Sequence, residues 1–175
     1  NVTNDDTKVE SSINYSNINA KKSVTVDADR ENKMLNISGG VAGSKKIGAG
    51  AAVNVYKQGG TVKSYVDSSN VTFKGETPKL DVTADNKNGF INIAIGVGAA
   101  TNDEQNSAGF KAVAGGSASA NVLKPEIDTY INSSTIGSNG GKINAKLEAK
   151  NDLDIYNIAG GGSYSNGSSA GVSAG

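Results

Sequence analysis

"NISGG" (36–40), "NIAIG" (92–96) and "NIAGG" (157–161) are near-copies of one phrase in a chain of 175 residues. Aligned on Asn36, Asn92 and Asn157, the copies lie 56 and 65 residues apart. Ten residues before each Asn stands an aliphatic residue: Val26, Val82 and Leu147. They sit inside "VTVDAD" (24–29), "LDVTAD" (80–85) and "INAKLEAK" (143–150). Ala28, Ala84 and Ala149 follow two positions later. A second phrase, "SYVDSSNVT" (64–72), returns as "TYINSSTIG" (129–137), and a shortened version opens the chain at 13–26. Register kept over such distances is the mark of a repeat architecture. The expected repeats run over about 22–77, 78–142 and 143–175, the last cut off mid-pattern where "SSAGVSAG" (168–175) aligns with 47–54. That reads as one segment, 1–175, of a longer protein. The second repeat carries nine extra residues between Val97 and Tyr130. Part of them is the polar run "TNDEQNS" (101–107), expected to protrude as a loop.

Within each repeat the apolar residues alternate with period two, the strand signal. In "LNISGGVAG", Leu35, Ile37, Gly39 and Val41 share one face, and Asn36, Ser38, Gly40 and Ala42 the other. The apolar set is expected inside, so that Ile37, Ile93 and Ile158 stack in an interior column. In "IGAGAAVNVYK" the inward set is Ile47, Ala49, Ala51, Val53 and Val55, which leaves Tyr56 outward. The repeated Asn residues then form a polar ladder on one face, bond to turns, or lie on the outer surface. Clusters of Gly, Lys, Ser and Asn at 43–46, 57–60 and 137–141 are turns. Helix and strand compete at "INAKLEAKNDL" (143–153), and its alignment with "SVTVDAD" (23–29) decides for strand.

The expected fold is therefore all-β, a parallel solenoid with Gly and Ala where layers approach closely. A repeat of 56 residues admits two windings of about 28 or three of about 19. The alternative is an antiparallel β-sandwich or hairpin array, since "GVAGSKKIGAGAAV" (40–53) has the form strand, polar turn, strand.

Composition agrees with a thin core. The chain has 23 Gly, three Phe, one Met and no Trp. Lys plus Arg and Asp plus Glu are 17 each, and Arg30 is the sole arginine, so no basic stripe points to nucleic acid. No apolar run is long enough for a membrane-spanning helix, and no membrane insertion of this segment is expected. Cys and His are both absent, which removes disulfides, thiolate and Ser-His-Asp catalysis, and the common zinc sites.

The remaining chemistry is sparse. Asp27 with Asp29, and Asp81 with Asp85, share strand faces as a glycosidase pair would. The copies do not keep them: Thr83 stands at the place of Asp27, and Lys150 at that of Asp29 and Asp85. Solvated strand-face charges are the plainer reading. Asn102, Asp103, Glu104 and Asn106 are oxygen donors of the kind calcium takes, but their spacing fits no EF-hand. No catalytic, cofactor or metal residue is assigned. The expected recognition surface is Asn102, Asp103, Glu104, Gln105 and Asn106, with Tyr56 as an outward aromatic contact. Asn-x-Ser/Thr sequons occur at Asn1, Asn14, Asn36, Asn70, Asn132 and Asn166.

The order "NISGGVAG…IGAGAAVNVYK…SYVDSSNVT", recurring as "NIAIGVGAA…", resembles the passenger repeats of large bacterial secreted adhesins of filamentous-haemagglutinin-like and autotransporter type. The resemblance spans about 22–175. Residues 30–33 and 101–107 depart from it in being more charged. It implies a right-handed parallel β-helix, secreted or displayed on the outer surface of a Gram-negative bacterium. The implied role is adhesion to a protein or glycan of a host or neighbouring cell, without catalysis or cofactor. Two alternatives stand beside it: a polysaccharide-active β-helix enzyme fragment, and a fibre subunit that self-associates end to end.

Overall fold

The computed structural model describes residues 1–101, 111–165 and 169–175. Among them are thirteen strands and no helix: β1 (Val2–Asp5), β2 (Lys8–Asn14), β3 (Asn17–Ala20), β4 (Ser23–Ser44), β5 (Ile47–Gln58), β6 (Thr61–Asp67), β7 (Asn70–Phe73), β8 (Lys79–Ala100), β9 (Lys111–Leu123), β10 (Glu126–Asn132), β11 (Thr135–Ser138), β12 (Asn144–Ser165) and β13 (Ser169–Ala174). They form four sheets, ordered β1-β5-β9-β13, β2-β6-β10, β3-β7-β11 and β4-β8-β12. Every ladder is parallel.

The register reproduces the internal alignment. Asn36 pairs with Asn92 and Asn92 with Asn157, and Val26, Val82 and Leu147 stand in one column. Ile13 pairs with Val66, and Ile18 with Val71, so the shortened opening copy is a true member of the series. Partners lie 53 residues apart at Val2↔Val55, 56 at Asn36↔Asn92 and 65 at Ile47↔Ala112. The chain thus returns beside itself once per repeat, through four strands, and not two or three times. The step from 56 to 65 falls between Ala100 and Ala112, which places all nine extra residues there. At the end of the chain Ala170, not Ser168, reaches the column of Ile47 through Ala112. The connection from Ser165 to Ala170 is two residues longer than that from Ser44 to Ile47.

The hairpin expectation fails at 44–47. The turn Lys45–Lys46 carries the chain from the β4 sheet to the β5 sheet, and the two strands do not pair with each other. Their partners are the equivalent strands of the next repeat.

A different corner recurs between the short strands. Tyr15, Ser68 and Ser133 all have positive φ, at 46°, 48° and 47°. Each is followed by a serine: Ser16, Ser69 and Ser134. Ser69 Oγ donates to the Asp67 carbonyl (2.7 Å) and accepts from Ser16 N (3.0 Å), while Ser69 N donates to Ser134 Oγ (3.1 Å). The serine column satisfies backbone groups that the left-handed residue takes out of the ladders.

The interior has two regions. Where the sheets of β2, β3 and the first half of β4 meet, the core is aliphatic: Val26, Val66, Val71, Phe73, Leu80 and Val82. Ala28, Val62 and Ala84 continue it. The second halves of β4, β8 and β12 face the β5 sheet across a much thinner gap. A Cβ on Gly40 would lie 1.8 Å from the Ala51 carbonyl oxygen, and one on Gly50 1.9 Å from that of Val97. Nothing larger than hydrogen fits there. Both backbones therefore approach closely, with Gly, Ala, Ser and Asn between them.

This reverses the expected facing of the second half. Ile37 is 62 % exposed and Asn36 6 %; Asn92 is 1 % exposed. Ile37, Ile93 and Ile158 do share one column, but on the outside. In β5 four of the five residues expected inward, Ile47, Ala49, Ala51 and Val53, are exposed, and the fifth, Val55, is half-buried. Gly48, Gly50, Ala52, Asn54 and Tyr56 are buried.

Candidate functional site

Residues Asn102, Asp103, Glu104, Gln105 and Asn106 lie outside the described residues. Tyr56 is described and is wholly buried, so it is no outward contact. Its ring packs on Phe90 with centroids 4.4 Å apart, and its hydroxyl accepts from Asn32 Nδ2 at 3.2 Å. Burial, with Asp5 nearby, pushes the Tyr56 hydroxyl pKa up to about 12. The parity of β5 explains the placement, because Tyr56 shares the face of Gly48 and Gly50, which the thin gap requires inside.

Around Tyr56 lies a buried polar seam. Asn36 Nδ2 donates to Asn92 Oδ1 (2.9 Å), and Asn92 Nδ2 donates to Asn157 Oδ1 (2.9 Å) and Asn121 Oδ1 (2.9 Å). Asn54 Nδ2 reaches across to the Ile93 carbonyl at 2.8 Å. Gln58 Nε2 donates to Asn88 Oδ1 at 2.6 Å. Arg30, 5 % exposed, donates from Nε to Asn86 Oδ1 (2.8 Å) and from Nη1 to the Thr7 carbonyl (3.0 Å). Asn86 Nδ2 passes the chain on to Asn151 Oδ1 (2.8 Å). Burial alone would raise the Asp5 carboxyl. Hydrogen bonds from Thr7, the Arg30 charge and the Asn32 amide outweigh it and hold the pKa below the usual range. The seam is a set of amides bonded to one another between sheets, which fixes register; within it Arg30 Nη2, Asn54 Oδ1, Gln58 Oε1 and Asn88 Nδ2 are buried without a hydrogen-bond partner. Asn36 belongs to it, so that sequon is closed to a glycan.

The outer faces carry what is accessible. On the β2–β6–β10 sheet, Tyr65 and Tyr130 stack with centroids 4.8 Å apart and planes 8° from parallel. Tyr65 Oη donates to Glu10 at 2.6 Å. Lys63 pairs with Glu126 (2.7 Å) and Asp128 (3.2 Å), and these hydrogen bonds raise its pKa. This flat strip of aromatic edges, hydroxyls and paired charges has the chemistry to contact a sugar or a protein. Sequence reasoning missed it, although the alignment already set Tyr65 opposite Tyr130.

The carboxylates proposed as an enzyme pair stand on the outer face of the β4–β8–β12 sheet. Asp29 is beside Asp85, whose other neighbour is Lys150. Asp27 accepts from Thr83 Oγ1. Further along, Glu31, Lys33, Lys87 and Asp152 line a groove of about 250 Å³. Among the described residues no group of three or more acidic side chains could hold a metal ion. Comparison with protein-family models, curated proteins and solved structures gives no match to the chain.

Proposed function

We propose that the chain is a segment of a right-handed parallel β-helix, forming a non-catalytic rod section of a bacterial adhesin that is secreted or held at the cell surface. The observation that carries the reading is the in-register parallel return of the chain in every repeat, locked by the Asn36–Asn92–Asn157 ladder. Such a chain grows in one dimension, each repeat resting only on its neighbours. Its job is then length and display. The handedness and the surface location rest on the likeness of the repeats to adhesin passengers. Non-catalysis belongs to the same reading, in keeping with Thr83 and Lys150 standing in the neighbouring repeats where a carboxylate pair would have to be kept.

The adhesive contact in this proposal is the Tyr65–Tyr130 strip, together with the polar residues of the run 101–107. Two experiments test the reading. Inserting further copies of residues 78–142 is expected to lengthen the particle by about 4.8 Å per copy in negative-stain images, at constant width. A particle that swells in all directions refutes the rod. Beads coated with the chain are expected to bind host or neighbouring-cell surfaces, and Tyr65→Ala with Tyr130→Ala to reduce capture. Undiminished capture by the double variant removes that strip from the proposal.

A further inference from the structure

The corner between β2 and β3 carries a side chain that the fold does not use. Tyr15, Ser68 and Ser133 all stand at positive φ, so the corner imposes the left-handed conformation in every winding. Glycine takes that conformation freely and small residues bear it, whereas a bulky aromatic there is an outlier. Two windings use serine. The first uses Tyr15, at φ 46°, and leaves its side chain 81 % exposed. The corner's ladder needs only the backbone at this position, where Tyr15 N donates to the Asp67 carbonyl at 3.2 Å. The ring thus adds backbone strain and buries almost nothing. Strain that packing does not explain collects at functional positions. The surroundings of the ring define a ligand chemistry. Tyr15 lines an open groove of about 330 Å³ with Ser16, Asn17, Ser68, Asn70 and Ser133, and among the described residues no charged side chain lines it. Asn17 and Asn70 are exposed register partners on β3 and β7. Among the described residues nothing hydrogen-bonds to the side chains of Asn17, Asn70 or Ser133, so two amides and a hydroxyl are free.

We propose that this corner binds one ring of a neutral saccharide. A pyranose offers a C–H face to an aromatic ring and hydroxyl groups to amides and hydroxyls, and the groove supplies both kinds of partner. Its volume lies at the lower end of the range for small-ligand sites. Because the column continues as Ser68 and Ser133, no second large side chain covers the ring, and the groove runs on past it for about 10 Å along the stack. A polyanion fits poorly, since no Lys or Arg lines the groove. A peptide anchor fits poorly too: apart from Tyr15 the walls are hydroxyl and amide, with no apolar pocket to receive a hydrophobic side chain. One aromatic in an open groove gives an affinity in the millimolar range, which suits a site used many times along a surface. The site is separate from the Tyr65–Tyr130 strip, whose rings stack on each other, and it does not depend on the adhesive reading.

Saturation-transfer NMR of the chain with the methyl glycosides of β-galactose, β-glucose and α-mannose tests the proposal, beside Tyr15→Gly and Tyr15→Phe. The expected result is transfer to at least one of the three sugars, with affinity at least tenfold lower in Tyr15→Gly and kept in Tyr15→Phe. Tyr15→Gly is also expected to raise Tm by about 2–4 °C, because it relieves the left-handed strain and removes no packing. That rise separates a lost ligand from a lost fold. Absence of transfer to all three sugars at about 50 mM overturns the proposal. Transfer that Tyr15→Gly leaves unchanged overturns it too, and its loss in Tyr65→Ala with Tyr130→Ala then places the sugar on the strip. A Tm that does not rise in Tyr15→Gly equally overturns it, since the ring is then held by the fold and not kept for a ligand.

Discussion

Replacing Asn92 tests the inversion of facing directly. Its side chain is 1 % exposed and makes three hydrogen bonds at 2.9 Å: it accepts from Asn36 and donates to Asn121 and Asn157. At about 1 kcal/mol for each buried bond, Asn92→Ala is expected to cost about 3 kcal/mol. Asn92→Leu restores volume but still strands the Asn36 amide, so it should cost nearly as much. Ile37→Asn, at a position 62 % exposed one residue along from the buried Asn36, should cost under about 1 kcal/mol. With the opposite facing, the ranking reverses, because the isoleucine change would bury an unpaired amide and the asparagine change would fall on the surface. The assay is thermal melting by circular dichroism at 218 nm. For a chain of this length, 3 kcal/mol corresponds to a fall in Tm of about 6–12 °C. A larger fall for Ile37→Asn than for Asn92→Ala would refute the inward Asn ladder.

The glycine gap predicts that Gly50→Ala lowers Tm sharply, its Cβ having to clear the Val97 oxygen at 1.9 Å, whereas Gly160→Ala leaves Tm within about 2 °C. At the left-handed corner, Ser68→Gly should stabilise by up to about 1 kcal/mol in urea titration, and Ser68→Val should destabilise by at least as much. Tyr56 gives a pH test. Its folded pKa, about 12, lies above the unfolded value of 10.0, so its contribution to stability is full below pH 10 and is lost as pH rises toward 12. Tyr56→Phe should therefore flatten the alkaline part of the Tm–pH curve, with little change at pH 7 beyond the lost Asn32 bond.

Much of the register could be read from the sequence because a parallel ladder places like residues beside like. The match of "SYVDSSNVT" to "TYINSSTIG" is the β6–β10 and β7–β11 pairing, residue for residue. What could not be read was the number of windings per repeat. The turn clusters at 43–46, 57–60 and 74–78 each combine Lys with Gly, yet only the pairing partners say whether a turn reverses a strand or hands it to another sheet. The Tyr65–Tyr130 stack was in the same alignment. An aromatic in a repeat looks like core until its face is known, and it is Tyr130, not Tyr56, that stands exposed.

The facing itself was within reach of the sequence. Period two says which residues share a face and not which face is inside; the usual rule settles that by placing isoleucine inward. The rule assumes about 10 Å between packed sheets, room for two layers of side chains. Gly48 and Gly50, then Gly96 and Gly98, contradict the assumption on one parity, because glycines at alternate positions leave room for a second backbone and little else. Parity along the strand says the same. Val26 and Asn36 are ten residues apart in the unbroken strand β4, an even number, so they share a face. Val26 is in the aliphatic core, hence Asn36 is inside, and isoleucine must stand out in the thin half. One strand of 22 residues thus crosses from a thick core to a thin one with no break in its alternation. The polarity of its two faces changes places near Met34. The Asn ladder is what such a crossing requires. Where the gap is too narrow for aliphatic side chains, small amides bonded to one another along the stack are among the few groups that can be buried without stranding a donor or leaving a void.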